Sequence, residues 1–567
     1  MSASTVTGRP MLKSLPRTLF LSNLLLPAIV ATAPAAESRS TPERPAVGTV
    51  GMISTAHPLA TAAGWEILHA GGNAFDATIA VAAALNVVEP MMSGIGGYGA
   101  ILVYDAKTSE TRTLDSSGRI PASVDGDVFR PPTPGYKENR LGAKSVSTPG
   151  NVNAWEAMAK RNGSLEWSRL FAPAIRLAEE GFAIREVTAG HIRKEFEHFP
   201  ADAQAIYGID GRPLRAGERL VQKDLAASLR QIAREKAYAI HGGTLGEAIV
   251  RTMKKTGGFV TLDDLRNNRA EWWNPVSIDY RGHQVLAASA PTNGWNTLLR
   301  IGMMSEWDLP KLGHNSAEYL HRFAEVTKRA YITRLRHAGD PDVSPPPLER
   351  LLSPQFWRKE VAALDLQRAV PFVPPGLSAS EGTHTTHFAV ADRWGNVVSA
   401  TQTLGNLFGS RIMVTGTGIW LNNSLAYSTF EPKGNPMDVF PGRRKLAGYS
   451  PMMILRNGRP VVAIGTPGGH TIVQTSAQMV LNLLDFKMDI QRAVSVPRLS
   501  FIEPDVIAMD EGVPQAVRDA LTKRGHKMET RKIGNAHGLT IEWNATGKPV
   551  RFTGGADSRG EGVAVGN

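Results

Sequence analysis

The sequence predicts an α/β (α+β) fold in which helices flank a substantial antiparallel sheet. Three observations carry that expectation. Residues 59–88, 150–260 and 315–367 place apolar side chains at helical spacing. From residue 384 onward, "THFAVAD", "VVSATQTL", "GIWLNN" and "MMILRNGRPVVAIG" are strand-like runs between turn residues, and the helical run "IVQTSAQMVLNLLDF" follows them. Between the helical and strand-rich parts lies "PFVPPGLSASEG" at 371–382, a Pro/Gly/Ser loop without periodicity.

At the N-terminus, Arg9, Lys13 and Arg17 precede the apolar "TLFLSNLLLPAIVATA" and the small residues Ala33 and Ala35. This basic, apolar, small-x-small order predicts a cleaved secretory signal peptide over residues 1–35. The polar stretch 36–47 is a leader to the fold. A helix is expected from Leu59 to Ala70, stopped by Gly71-Gly72. A second, Ala-rich and almost uncharged, starts near Asn73 and should be buried. "GAILVYDAKTSETRTLD" reads as strand, polar turn and strand.

The 567 residues are 42% hydrophobic and 20% charged, the balance of a soluble globular protein. No uncharged run after the leader is long enough to span a membrane. The net charge of +11 comes without a long basic run or an aromatic-interleaved patch, which argues against nucleic-acid binding. Cysteine is absent, which excludes thiolate metal sites and a cysteine nucleophile. Export without disulfides fits a bacterial periplasmic or secreted protein.

The informative stretch is "GTHTTHFAVADRWGNVVSATQTLGNLFG" at 382–409, where a loop runs directly into a strand headed by Thr385. Cleavage between His384 and Thr385 would give Thr385 a free α-amine beside its own hydroxyl. An α-amine titrates at about 7.7–8.0, so it can take the hydroxyl proton near neutral pH, a variant of the serine–histidine arrangement. His384 and His387 have His-x-x-His spacing, but strand positions i and i+3 face opposite ways, so no metal site is expected. "GIGGYG" has neither the lysine nor the acidic partner of a nucleotide loop and reads as close packing near a pocket.

"TTHFAVADRWGNVVSATQTLGNLFG" closely resembles the signature of γ-glutamyltransferases, also called glutathione hydrolases, which are N-terminal-nucleophile hydrolases. "GGNAFDATIA", "SGIGGYGAILVYD", "STPGNVNAW", "GGFVTLDDL", "AEVTKRAY…GDPD", "GIWLNN", "GTPGGH", "AVSVPRLSF" and "GGADSRG" follow in that family's order, covering roughly residues 48–562. The resemblance implies a four-layer α-β-β-α sandwich of the N-terminal-nucleophile hydrolase type. It also implies self-cleavage into a large subunit, residues 36–384, and a small catalytic subunit, residues 385–567, interleaved as a heterodimer. Thr385 matches the nucleophile and Thr403 the second threonine beside it. Gly468-Gly469 match the pair whose backbone N–H groups stabilise the oxyanion. No cofactor is implied.

The glutamyl pocket departs from the family pattern. The carboxylate-binding arginine position falls at Ser117, with Arg119 two residues along as the candidate replacement. The paired serines fall at Ala447-Gly448. The ammonium-binding positions fall at Gly405, Ser424 and Tyr427, and a tyrosine cannot serve as counter-ion to an ammonium. The loop Ser428 to Lys445 is also shorter than in members with a lid. The reading is a self-cleaving amide hydrolase of this family acting through an acyl-threonine, with hydrolysis favoured over transfer. Glutathione-like γ-glutamyl amides are one substrate class. An N-acyl compound, a β-lactam side chain or an oxamate-like amide is the other. A non-catalytic periplasmic binding protein on the same scaffold is the competing reading, and it predicts no cut before Thr385.

Overall fold

A computed structural model describes residues 44–131, 140–373, 384–428, 431–444 and 447–567. The expected signal peptide lies outside these residues, as does most of the loop at 371–382.

The "GGNAFDATIA" stretch shows how local sequence sets the first layer. Asn73 caps the helix Ala74–Val88 by accepting from the N–H groups of Phe75 and Asp76, and the Asp76 carboxylate accepts in return from Asn73 N–H. Every residue of this helix is buried, as its uncharged composition predicts. The preceding helix spans Pro58–His69 and packs against it.

Two seven-stranded sheets, antiparallel throughout, form the middle of the molecule. The first runs Val563–Gly566, Met52–Thr55, His384–Ala391, Val397–Gly405, Tyr98–Asp105, Glu110–Asp115 and Glu271–Trp273. The second runs Ala46–Gly48, Pro549–Ala556, His537–Trp543, Arg459–Gly465, Met452–Arg456, His283–Ala287 and Val276–Tyr280. Each sheet mixes strands from before and after Thr385.

Side-chain alternation then builds the layers. In the strand His384–Ala391, Ala389 and Ala391 pack with Met453, Leu539 and Phe552 of the second sheet. Phe388 and Val390 face the opposite way, toward the helices 58–69 and 74–88. On the far side, Val285, Ile454 and Ile464 meet the helices Gly294–Met304, Ala317–His337 and Ile472–Leu484. The fold is the α-β-β-α sandwich. "GIWLNN" differs from expectation: only Ile419–Trp420 is strand, and Asn422 and Asn423 turn inward to bond neighbouring backbone.

The hairpin His384–Ala391/Val397–Gly405 sits at the centre of the first sheet. Its turn is organised by Asp392, whose Oδ1 accepts from the N–H groups of Trp394 and Asn396. Asp392 Oδ2 accepts from Asn396 Nδ2 and from Ala74 N–H, the first residue of the buried helix. This buried carboxylate therefore fixes the hairpin register and ties it to a helix N-terminus. Asp392→Ala strands four donors and should destabilise the protein by about 3 kcal/mol or more, read as a lowered thermal-unfolding midpoint.

Candidate active site

Thr385 stands at the entry of the central hairpin, where the register with the partner strand slips between His384 and Thr386. Thr385 has no ladder partner of its own, and the irregularity turns its side chain toward the partner strand. Its Oγ1 donates to Thr403 Oγ1 at 3.2 Å, and Thr403 Oγ1 donates to the His384 carbonyl oxygen at 2.6 Å. Gly405 N–H holds the Thr403 oxygen from behind at 2.7 Å. Two hydroxyls and the carbonyl of the intact His384–Thr385 bond thus form one chain, with both threonines buried.

Close approach of the neighbouring strand makes room for this. A Cβ on Gly97 would lie 2.4 Å from the Thr403 carbonyl oxygen, so "GIGGYG" is the packing surface against which Thr403 sits.

Thr386 points the other way and donates to Glu89 Oε2 at 2.9 Å. Burial pushes the Glu89 carboxyl up to about 7; the Thr386 bond opposes that shift and the charge of Glu561 adds to it. His387 is fully buried, bonds Thr401 Oγ1 through Nδ1 at 2.8 Å and faces Gly465 of the second sheet. His384 packs edge-on against His191 on the opposite side. The two histidines do not converge.

Two cavities meet at Thr385. The first, about 390 Å³ counted to its mouth, is lined by Thr385 and Thr403 with Tyr98, Tyr427, Tyr449 and Arg334, and by Gly405, Gly448, Gly469 and Ile472. The second, about 970 Å³ and likewise open to solvent, is lined by Thr385 with Glu89, His384, Gly468, His470, Arg531 and Lys532. Gly469 borders one and Gly468 the other. Neither N–H of this pair meets a backbone acceptor among the described residues, and Gly468 has φ +130°, a conformation that favours glycine.

Of the expected pocket residues, Gly405, Tyr427 and Gly448 line the first cavity with the two threonines. Arg119, Ser424 and Ala447 are not among its lining residues. Arg119 is engaged elsewhere: its guanidinium pairs with Glu271 at 2.9 Å, within a network that includes Arg444 and Asp340. Ser424 Oγ donates to Ser147 Oγ, and Ala447 is packed against Tyr98 and Tyr449.

Arg334 was not foreseen. It lies on the helix Ala317–His337 with its side chain buried, 5.4 Å from the Tyr331 ring centroid. Burial lowers its pKa, and the Tyr331 and Glu503 charges oppose this. The one sequence signal is an arginine on the apolar face of an amphipathic helix. Tyr98 and Tyr449 also escaped notice, since tyrosines flanking strands read as ordinary core.

Gly405 and Tyr427 are sterically coupled. A Cβ on Gly405 would lie 2.2 Å from Asn423 Oδ1 and 2.8 Å from Tyr427 Oη. The tyrosine hydroxyl donates to Asn406 and Asn423, each at 3.2 Å, and occupies the space beside the glycine. No acidic side chain lines this cavity.

The sequence matches the family described as Gamma-glutamyltranspeptidase over residues 60–567. The chain belongs to that family. It is 35% identical over 536 residues to the Acylase ACY 1 proenzyme of Pseudomonas sp. (strain SE83), covering 90% of this chain and 95% of that protein. Against the glutathione hydrolase proenzyme of Bacillus subtilis (strain 168) it is 35% identical over 545 residues, 92% of each. Among solved structures, the cephalosporin acylase from Bacillus halodurans superposes with a TM-score of 0.86 at 28% identity, covering 95% of this chain and 99% of that one. Family membership makes this protein an amide hydrolase or acyl transferase of the N-terminal-nucleophile type.

The raised Glu89 carboxyl has a measurable consequence. Its folded-state value of about 7 lies above the ordinary 4.5, so its contribution to stability is complete below the ordinary value and is lost as pH rises through the folded one. Glu89→Gln keeps the acceptor for Thr386 and removes the titration. Thermal unfolding at about pH 8 should show the variant more stable by about 3 kcal/mol, and at about pH 4 the difference should vanish.

Proposed function

We propose that the protein cuts itself between His384 and Thr385 and then hydrolyses amides through an ester on Thr385 Oγ1. Its preferred acyl group ends in a carboxylate and lacks the α-ammonium of glutamate. The observation that carries this reading is the lining of the first cavity. Tyr427 and Gly405 stand at two of the ammonium-binding positions, no carboxylate lines the space, and Arg334 is its only cation. A buried ammonium without a counter-ion is costly, whereas a carboxylate can meet a guanidinium and tyrosine hydroxyls. The acylase relatives support the same direction.

The hydroxyl chain supports the self-cleavage step. Thr403 donates to the carbonyl oxygen on which charge develops, and the same Thr403 hydroxyl holds Thr385 Oγ1. Attack forms the Oγ1–C bond, the C–N bond breaks, and the hydroxyl proton ends on the Thr385 nitrogen. Water opens the ester, leaving a His384 carboxylate and a free α-amine. In turnover that amine takes the Oγ1 proton as the oxygen adds to the amide carbon. The oxyanion meets the Gly468 and Gly469 N–H groups, the proton passes to the leaving nitrogen, and water releases the acid. The second cavity reaches Thr385 from solvent, a route for the water that opens the ester.

Residues 36–384 and 385–567 would stay together after the cut, because both sheets draw strands from each piece. The relatives are themselves proenzymes. The basic, apolar N-terminus supports export, and no helix among the described residues is long and apolar enough to cross a membrane.

Intact mass and a denaturing gel test the cut: wild type should give two chains, the smaller beginning at Thr385, and Thr385→Ala one uncut, inactive chain. A wild type that stays whole would sink the reading in favour of a binding protein. Thr403→Ala should slow self-cleavage by about 10²–10³, the effect of losing one oxyanion donor, with Thr403→Ser restoring most of it. On the mature protein, glutaryl 4-nitroanilide should be hydrolysed at least about tenfold faster, as kcat/KM, than γ-glutamyl 4-nitroanilide, which adds only the ammonium. The reverse preference would return the assignment to glutathione-like substrates.

A further inference from the structure

The second cavity has no role in holding the acyl group, yet its wall is built of a rigid segment that carries two cations. Arg531 N–H donates to Met509 O at 2.9 Å, and Ile533 N–H to Asp510 Oδ1 at 3.2 Å. These bonds pin Arg531–Ile533 to the edge of the small sheet formed by Leu499–Ile502, Val506–Met509 and Met528–Thr530. The backbone that carries the two cations is thereby held in place on the cavity wall.

The charges facing this cavity are unbalanced. Arg559 is consumed by Asp510 and Asp557, each at 2.7 Å. Burial holds His384 and His470 neutral, down to about 3, and the Arg531 charge acts in the same direction on both. The one acid, Glu89, is pushed toward its neutral form and receives Thr386. Among the described residues Arg531 has a single ion pair, 3.8 Å from Glu529 with both side chains about half exposed, a contact worth little. Lys532 has none among the described residues. Two cations, one weakly paired and one without an ion pair among the described residues, therefore line the same cavity as Thr385.

We propose that Arg531 and Lys532 form a subsite for a carboxylate on the amine half of the substrate, so that this enzyme releases an anionic amine. The proposal rests on the reading that Thr385 is the nucleophile and the first cavity holds the acyl group. An amide carbon at Thr385 Oγ1 sends its acyl chain into that cavity and its nitrogen substituent into the other. The amine half then runs along the wall where the two cations stand. Its carboxylate replaces water on a guanidinium and an ammonium whose present partners are weak.

The test uses the self-cleaved enzyme and two chromogenic amides with one acyl group, glutaryl 4-nitroanilide and glutaryl 3-carboxy-4-nitroanilide. The carboxylated anilide should have a kcat/KM about tenfold higher, the worth of one charge-assisted hydrogen bond. In the doubly substituted Arg531→Ala/Lys532→Ala enzyme that ratio should fall to about one, and Arg531→Glu should invert it. A wild-type ratio near one, or a ratio that survives the double substitution, overturns the proposal. If neither anilide turns over, the acyl assignment fails by itself and the subsite is judged by titration. There, 5-amino-2-nitrobenzoate should bind wild type about tenfold more tightly than 4-nitroaniline and lose that margin in the double variant. Equal binding of the two overturns it.

Discussion

The proposed active centre depends on one hydrogen-bonded chain, Thr385 Oγ1 to Thr403 Oγ1 to the His384 carbonyl oxygen. Its members come from two strands, so its geometry is only as good as the register of the hairpin that carries them. Asp392 sets that register from the far end by closing the turn and gripping the first turn of the buried helix. At the near end the ladder slips by design of the pairing, and Thr385 is released from the sheet while Thr386 stays in it. The glycine-rich approach of Tyr98–Asp105 completes the frame, since any side chain at Gly97 would push on the Thr403 carbonyl. A hydroxyl is a weak nucleophile, and such chemistry needs positioning fixed by parts that cannot shift independently.

The proposed machinery and the proposed acyl pocket are separable in this chain because they are made by different elements. The hydroxyls and the Gly468-Gly469 amides come from the sheet and the turn after it. Specificity comes from side chains delivered by the helix Ala317–His337, by Tyr98 and by the segments around Tyr427 and Tyr449. The Gly405–Tyr427 pair shows how such a pocket changes as a unit. A residue larger than glycine at 405 would collide with Tyr427 and Asn423, and a smaller residue at 427 would leave a void beside the glycine. Each substitution alone is strained or hollow, and the two together are packed.

What could be read from the sequence follows the same division. Helix boundaries at Pro58–His69 and Ala74–Val88 and the hairpin closing at Trp394–Asn396 are signalled locally, by caps, turn residues and alternation, whereas the pairing of Thr385 with Thr403 comes through the family resemblance. The chain order of motifs carried the layered architecture through resemblance to a family. Arg119 shows the limit: proximity in sequence to the expected arginine position made it the candidate, but Glu271, far along the chain, claims its guanidinium. Arg334, Tyr98 and Tyr449 reach the cavity from segments far apart in sequence. No local pattern distinguishes a buried arginine that lines a pocket from one that holds a helix in place. Glu89 was hidden for a related reason, since its burial is decided by the strand that packs over it.

Thr385 also marks a boundary between two electrostatic environments. On the proposed acyl side, Arg334, Tyr98 and Tyr449 are buried side chains lining the smaller space, where polar contacts are less screened than at an exposed surface. On the proposed amine side, the larger cavity carries the exposed cations Arg531 and Lys532, and contacts there are screened. Tight discrimination therefore belongs to the acyl cavity, where an unpaired ammonium has nowhere to go. The amine cavity can grade its ligands by charge while tolerating variation in shape. On the proposed assignment, a site built this way is strict about the acid held on Thr385 and permissive about the amine released.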